Sequence, residues 1–176
     1  IDAVENTDIG REIDCIALEM GLGALVRHPS VRISINMSAR SIGYPRWMDI
    51  LKRGLKRHPT VGERLILEIT ESSAMLVPEL VIAFMQEFQA DGVAFALDDF
   101  GSGYTAIRYF KDFFFDILKI DGQFIRNVHA DPDNAALTAA LLSIGRHFRM
   151  FTVAEAVETP QEAQFLINLG VDCLQG

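Results

Sequence analysis

The sequence predicts an α/β protein with a parallel sheet, and three observations carry that prediction. Helical and strand patterns alternate along the whole chain, six strand patterns occur, and carboxylates or amides recur where those strands end. Alternation of this kind places a helix between successive parallel strands. A closed (β/α) barrel and a doubly wound open sheet both satisfy it, and periodicity alone does not choose between them.

Each element has its own signal. Residues 8–26 read as a helix, with Ile9, Ile13, Ile16, Ala17 and Met20 at helical spacing and Gly21 and Gly23 near its end. Over 31–38 apolar Val31, Ile33, Ile35 and Met37 alternate with polar Arg32, Ser34, Asn36 and Ser38, a strand with two unlike faces. A helix over 46–57 carries Trp47, Ile50, Leu51 and Leu55, and 65–70 is the next strand. Pro78 opens a helix over 78–90 with Val81, Phe84, Met85 and Phe88 inward. A strand over 93–98 leads into a Gly loop and a short helix near 104–111. The strand at 117–121 precedes a helix over 133–148 marked by Leu137, Ala140, Leu141, Ile144 and Phe148. A strand over 151–157, a helix over 160–169 and a strand starting at 171–175 complete the series.

Composition excludes several classes. The 176 residues are 49% hydrophobic with twelve Phe, which is no disordered chain, and the length suits a single domain over 1–176. Acidic side chains number 24 against 16 basic, a formal charge of −8, which argues against a DNA- or RNA-polymer binder. Cys15 and Cys173 make no staple pattern, so a reduced, cytoplasmic setting is expected, although a longer parent protein could be membrane-tethered. No apolar run approaches a membrane span. The chain opens on Ile1 and stops at Gly176 in mid-pattern, and so reads as a fragment.

In a (β/α) barrel, chemistry sits at the carboxyl ends of the strands. Those ends carry Asn36, Glu68, Asp98 with Asp99, Lys119 with Asp121, Glu155 and Gln175. Gathered carboxylates repel unless cations compensate, and Lys119 supplies a single positive charge. An oxygen-rich set with few histidines suits a hard divalent ion, Mg²⁺ or Mn²⁺, and the number of acids suits two. Two such ions are the usual apparatus for hydrolysing a phosphodiester. Separate loop caps are the plainer alternative for each acid. The run D-D-F-G-S-G-Y-T at 98–105 gives tight backbone at Gly101 and Gly103. It is a poor dinucleotide fingerprint, because Ala106 replaces the third glycine and two carboxylates would face the pyrophosphate.

Six ordered motifs resemble the EAL domain family, bacterial phosphodiesterases that hydrolyse cyclic-di-GMP to the linear dinucleotide. They are I-N-M-S at 35–38, L-E-I-T-E-S at 67–72, the run at 98–105, D-I-L-K-I-D at 116–121, A-E-A-V-E-T at 154–159 and L-Q-G at 174–176. The resemblance implies a modified TIM barrel, incomplete in this chain, with a two-metal site. It implies Asn36, Glu68 and Asp98 as ligands of one ion and Asp98, Asp99 and Glu155 as ligands of the second. Lys119 matches the lysine that orients the attacking water, Asp121 the acid after it, and Gln175 and Ser38 substrate-side positions. Glu71 matches a glutamate that anchors the loop containing Gly101, Ser102 and Gly103 and links metal binding to a homodimer interface. A sensory or GGDEF domain elsewhere in the protein is a further implication.

Departures from the family pattern carry their own expectations. The Glu-Ala-Leu strand that names the family would lie before Ile1, so weak metal binding and little turnover are expected from the chain alone. Ala156 stands where the family usually has Gly, tightening backbone near Glu155. The alternative reading is a non-catalytic module that binds cyclic-di-GMP or a protein partner; a nucleotide-cofactor enzyme on a doubly wound sheet is a third. The four histidines form no His-Asp pair and read as surface or packing residues, and both cysteines as small core residues. The Phe-rich run 110–115 reads as core and dimer contact, and Arg46, Lys52, Arg53, Lys56 and Arg57 as a solvated helix face. With five acids assigned to one site, the remaining surface is close to neutral.

Overall fold

The computed structural model describes residues 7–102 and 111–176 in two compact units. One comprises Ile1–Ile69 with Ser73–Phe95, the other Thr70–Ser72 with Ala96–Gly176. The short helix expected near 104–111 lies almost wholly outside the described residues.

In the first unit, α1 (Asp8–Arg27) starts where the Thr7 hydroxyl accepts a hydrogen bond from Gly10 N. Its far end is held by Arg64, whose Nη1 donates to the carbonyls of Leu25, His28 and Val31 at 2.8, 3.0 and 3.3 Å. Strand β1 (Ile33–Asn36) follows, then a 3-10 turn (Ala39–Gly43), α2 (Pro45–Arg57) and a second 3-10 turn (Pro59–Arg64). Next come β2 (Leu65–Thr70), α3 (Glu71–Leu76), which the sequence patterns missed, and α4 (Pro78–Gln89). β1 and β2 pair in parallel with Ile33 opposite Leu65 and Asn36 opposite Glu68. The core of this unit is aromatic: Phe84 packs on Trp47, Phe88 and Phe95 at centroid distances of 5.8, 4.9 and 5.5 Å.

The apolar residues that reveal the period of α1 are not the ones it buries. Ile9, Ile13, Ile16 and Met20 are exposed, while Cys15, Leu18, Leu22 and Leu25 are buried. Close approach to β1 selects the face, because a Cβ on Gly21 would lie 2.2 Å from Ile35 Cδ1.

Strand β3 (Ala94–Phe100) begins in the first unit and ends in the second. There it is followed by β4 (Ile117–Ile120), α5 (Gly122–Ile125), α6 (Pro132–His147), β5 (Phe151–Ala154), α7 (Pro160–Leu169) and β6 (Cys173–Leu174). Neighbouring strands are parallel and follow chain order, β3-β4-β5-β6. A doubly wound sheet reverses its order at a switch point, and neither unit contains a reversal among the described strands. Ile120, Ile125, Val128, Leu142, Ala154 and Leu166 form the core of this unit.

Two expectations change here, and a third is met in its core residues. The marked face of α6 is only in part the inner one: Leu141, Ile144 and Phe148 are half-buried, Leu141 packing on the core, but Leu137 and Ala140 are exposed, and the buried residues are Thr138, Leu142 and Gly145. The cause is contact at Gly145, where a Cβ would lie 2.7 Å from Thr152 Cγ2 and 3.1 Å from Leu118 Cδ2. Cys15 is buried as expected, but Cys173 is exposed on the two-residue strand β6. Of the Phe-rich run, Phe113 and Phe115 are buried against each other and Phe114 is exposed; Phe110 lies outside the described residues. No helix among the described residues is long and apolar enough to cross a membrane.

Candidate functional site

The carboxyl end of β3 does not run as a regular strand. Leu97 pairs with Leu118 and Phe100 with Ile120, so three steps on β3 match two on β4. This is a β-bulge at Asp98-Asp99, and Asp99 takes a positive φ of 54°. Regular pleating would send these consecutive side chains to opposite faces. The bulge brings them together: single carboxylate oxygens of Asp98, Asp99 and Glu155 all lie within 4.8 Å of one another. Asp99 N donates to Asp98 Oδ1 at 3.1 Å, and Ser102 closes the turn by donating its N–H and hydroxyl to Asp99 O.

Lys119 comes from β4 in register with Val153 of β5 and is buried. Its Nζ lies 2.9 Å from Asp98 Oδ1 and 2.7 Å from Glu155 Oε1. Burial pushes the Glu155 carboxyl above its ordinary range; the hydrogen bond from Lys119 opposes this, and the charges of Asp98 and Asp99 add to it. Three carboxylates around one ammonium leave uncompensated negative charge. The donors are all oxygen, and the four histidines are exposed. This set fits a hard divalent cation.

A cavity of about 490 Å³ opens beside these groups, lined by Asp99, Glu155, Asp121, Gln175, Ala156 and Arg126 among others. Asp121 caps α5, its Oδ1 accepting from Gln123 N at 2.7 Å. Gln175 is held by its backbone, N to Ala154 O and O from Val157 N. Ala156 stands at φ +52°, and opposite it a Cβ on Gly122 would lie 2.7 Å from the Ala156 Cβ. Arg126 was not singled out in the sequence; a lone arginine after a four-residue helix carries no marker there.

The other expected site residues fall as follows. Glu71, first residue of α3, is buried and accepts a hydrogen bond from Gly101 N at 3.0 Å. Gly101 has φ +95°, and a Cβ there would lie 2.7 Å from Phe124 Cε2. Gly103 lies outside the described residues. In the first unit, Asn36 and Glu68 sit side by side at the carboxyl ends of β1 and β2. Ser38 caps the 3-10 turn, its hydroxyl accepting from Arg40 N and its own N–H donating to Asp14 Oδ2 at 3.0 Å.

Behind the site, Glu162 of α7 is buried and accepts from the backbone N–H groups of Asn127, Glu158 and Thr159 at 2.7, 3.0 and 3.0 Å. The Asn127 N–H chiefly holds its carboxyl below the usual range. The single side chain thus ties the segment after α5 to the segment that follows Glu155.

Comparison with known proteins adds a family. A model described as the EAL domain matches residues 1–176. The bifunctional diguanylate cyclase/cyclic di-GMP phosphodiesterase MucR of Pseudomonas aeruginosa is 37% identical over 149 residues, 85% of this chain and 22% of that protein. The cyclic di-GMP phosphodiesterase PdeF of Escherichia coli is 33% identical over 148 residues, 84% of this chain and 20% of that protein. The chain thus spans about a fifth of these relatives. Among solved structures, the PaMucR phosphodiesterase in complex with c-di-GMP is 36% identical with a TM-score of 0.80, over 96% of this chain and 68% of that one. The Xanthomonas citri FimX EAL domain, 22% identical, reaches 0.91 over 100% of this chain and 71% of its own, a likeness of fold. That fold is the barrel, and the doubly wound alternative falls away.

Proposed function

The chain belongs to the EAL domain family, and on that premise we propose that it hydrolyses cyclic-di-GMP to the linear dinucleotide with two divalent cations, Mg²⁺ or Mn²⁺. One observation carries the proposal: Asp98, Asp99 and Glu155 converge around Lys119 beside a cavity large enough for a nucleotide fragment. Asp98, Asp99 and Glu155 would hold a cation, which when bound screens the phosphate charge and acidifies water. Family resemblance assigns Asn36 and Glu68 as further ligands.

Lys119 has two tasks in this reading. Its ammonium holds Asp98 and Glu155 in fixed positions, and it presents a hydrogen-bond donor to water approaching the phosphorus. Water adds at phosphorus, the bond to the 3′ oxygen breaks, and that oxygen leaves with a proton. Arg126 and Gln175 line the cavity on the substrate side, where a guanidinium pairs with phosphate or with a guanine edge. Glu71, through Gly101, steadies the turn that begins at Asp99.

In this reading the protein is a cytoplasmic signalling module, homodimeric, in a longer chain with a sensory or GGDEF domain. The relatives support the longer chain and its further domain, since the matched stretch is a fifth of their length and one is named a diguanylate cyclase as well. The test is chromatographic assay of the full-length protein with cyclic-di-GMP and Mn²⁺. Linear product that disappears on chelation is the expected result. Saturable nucleotide binding without product would move the assignment to a receptor module, and neither binding nor product would overturn both.

A further inference from the structure

A second cavity, of about 450 Å³, lies in the first unit between α1 and α2. We propose that it binds a small amphipathic anion, an apolar ring or short hydrocarbon body carrying a phosphate or carboxylate. The volume is that of a ligand pocket. Its apolar lining comes from Leu22, Ile50 and Val61, which are buried, and from Val26, which is exposed. Gly23 of α1 and Gly54 of α2 also line it; at Gly54 the two helices pack closely, since a Cβ there would lie 2.7 Å from Leu22 Cδ1, whereas at Gly23 a Cβ would meet only the guanidinium end of Arg27.

Arg27, Arg53 and Arg57 also line the cavity, and Glu19 is the one acid among its lining residues. In a chain of net charge −8 this local excess runs against the overall field, so an anion drawn here is drawn by this site. Arg27 and Arg57 belong to the last turns of their helices, where the helix dipole favours a cation. Arg53 sits a turn earlier in α2 and has no such reason. Its Nε donates to Asp49 O at 3.0 Å, which fixes the stem and leaves both terminal amino groups for a ligand. Guanidinium forks match carboxylate and phosphate oxygens. An apolar base beneath them selects an anion with a hydrocarbon body over a fully hydrated ion.

The cavity is separate from the residues discussed above in the same unit. Val61 lies in the turn that leads into the amino end of β2, and Asn36 and Glu68 are at the carboxyl ends of their strands. The proposal therefore stands independently of the phosphodiesterase reading.

The test is titration of the intact protein by NMR or calorimetry with phenyl phosphate, benzoate, inorganic phosphate and benzyl alcohol. Phenyl phosphate or benzoate saturates one site, and whichever binds more tightly identifies the preferred head group. Inorganic phosphate and benzyl alcohol bind at least about tenfold more weakly. The pair Arg53→Gln and Arg57→Gln weakens the aromatic anion about tenfold, and Gly23→Leu, whose Cβ meets only the flexible end of Arg27, blocks it. Glu19→Gln, an exposed single change, tightens it. Absence of saturable binding by both aromatic anions overturns the proposal. So does an affinity unmoved by Glu19→Gln, a readout that survives if the arginine variants do not fold.

Discussion

Lys119 Nζ lies 2.7 Å from Glu155 Oε1, a buried ammonium from β4 against a carboxylate that follows β5. The same nitrogen reaches Asp98 Oδ1 at 2.9 Å, so one cation holds two acids from different strands. Lys119→Met removes that cation and leaves three carboxylates facing one another. Turnover should fall by about 10²–10⁴-fold. Melting temperature should fall more at pH 7 than at pH 5, because protonation relieves the repulsion. An equal loss at both pH values would show that Lys119 matters through packing alone.

Glu155 is expected to trade stability for chemistry. Its carboxyl is disfavoured as an anion by burial, so Glu155→Gln lowers the charge crowded at Asp98 and Asp99. Melts without divalent ions should show a variant at least as stable as the parent. Adding Mn²⁺ should raise the melting temperature of the parent and leave the variant nearly unmoved, since only the protein that binds the ion gains by linkage. Equal Mn²⁺ stabilisation of both would remove Glu155 from the ligand set.

Ala156 and Gly122 form a coupled pair. Ala156→Gly relieves a left-handed backbone and should stabilise by about 1 kcal/mol, roughly 3 °C in melting temperature. Gly122→Ala alone should destabilise, because its new Cβ would lie 2.7 Å from that of Ala156. In the double variant the clash disappears, so the two effects should fail to add. Strict additivity would mean that the two residues do not meet.

Glu162 makes a pH-dependent contribution whose sign is fixed. Its carboxyl is held below the ordinary 4.5, so the stabilisation is present above that value and is lost as pH falls through the folded one. Glu162→Gln should cost about 2 kcal/mol at neutral pH. In urea melts the gap from the parent should shrink toward about pH 3. A gap of constant size across that range would show that the ionised form has no special role.

Much of the fold was legible because it is written in local periodicity. Trp47, Ile50, Leu51 and Leu55 mark α2 and are buried there, and Val81, Phe84, Met85 and Phe88 do the same for α4. α1 was placed correctly but faced wrongly, and α6 was placed correctly and faced only in part correctly, since each carries apolar residues on more than one side. The choice was made at Gly21 and Gly145, where a missing Cβ allows close approach to Ile35 and to Thr152. Short α3 and α5 were missed because four to six residues are too few for a period.

The residue types at the strand ends, and with them the expectation of a hard cation and a phosphodiester, came from sequence alone, because ligand preference follows from the donors present. How those donors meet was decided by tertiary structure. Pleating sends Asp98 and Asp99 apart, and only the bulge against β4 brings both beside Glu155. Likewise, Arg53 and Arg57 read along the chain as one solvated helix face. Packing of α1 against α2 sets them with Arg27 around an apolar cleft. Composition is a property of the chain, and convergence of side chains is a property of its register and packing.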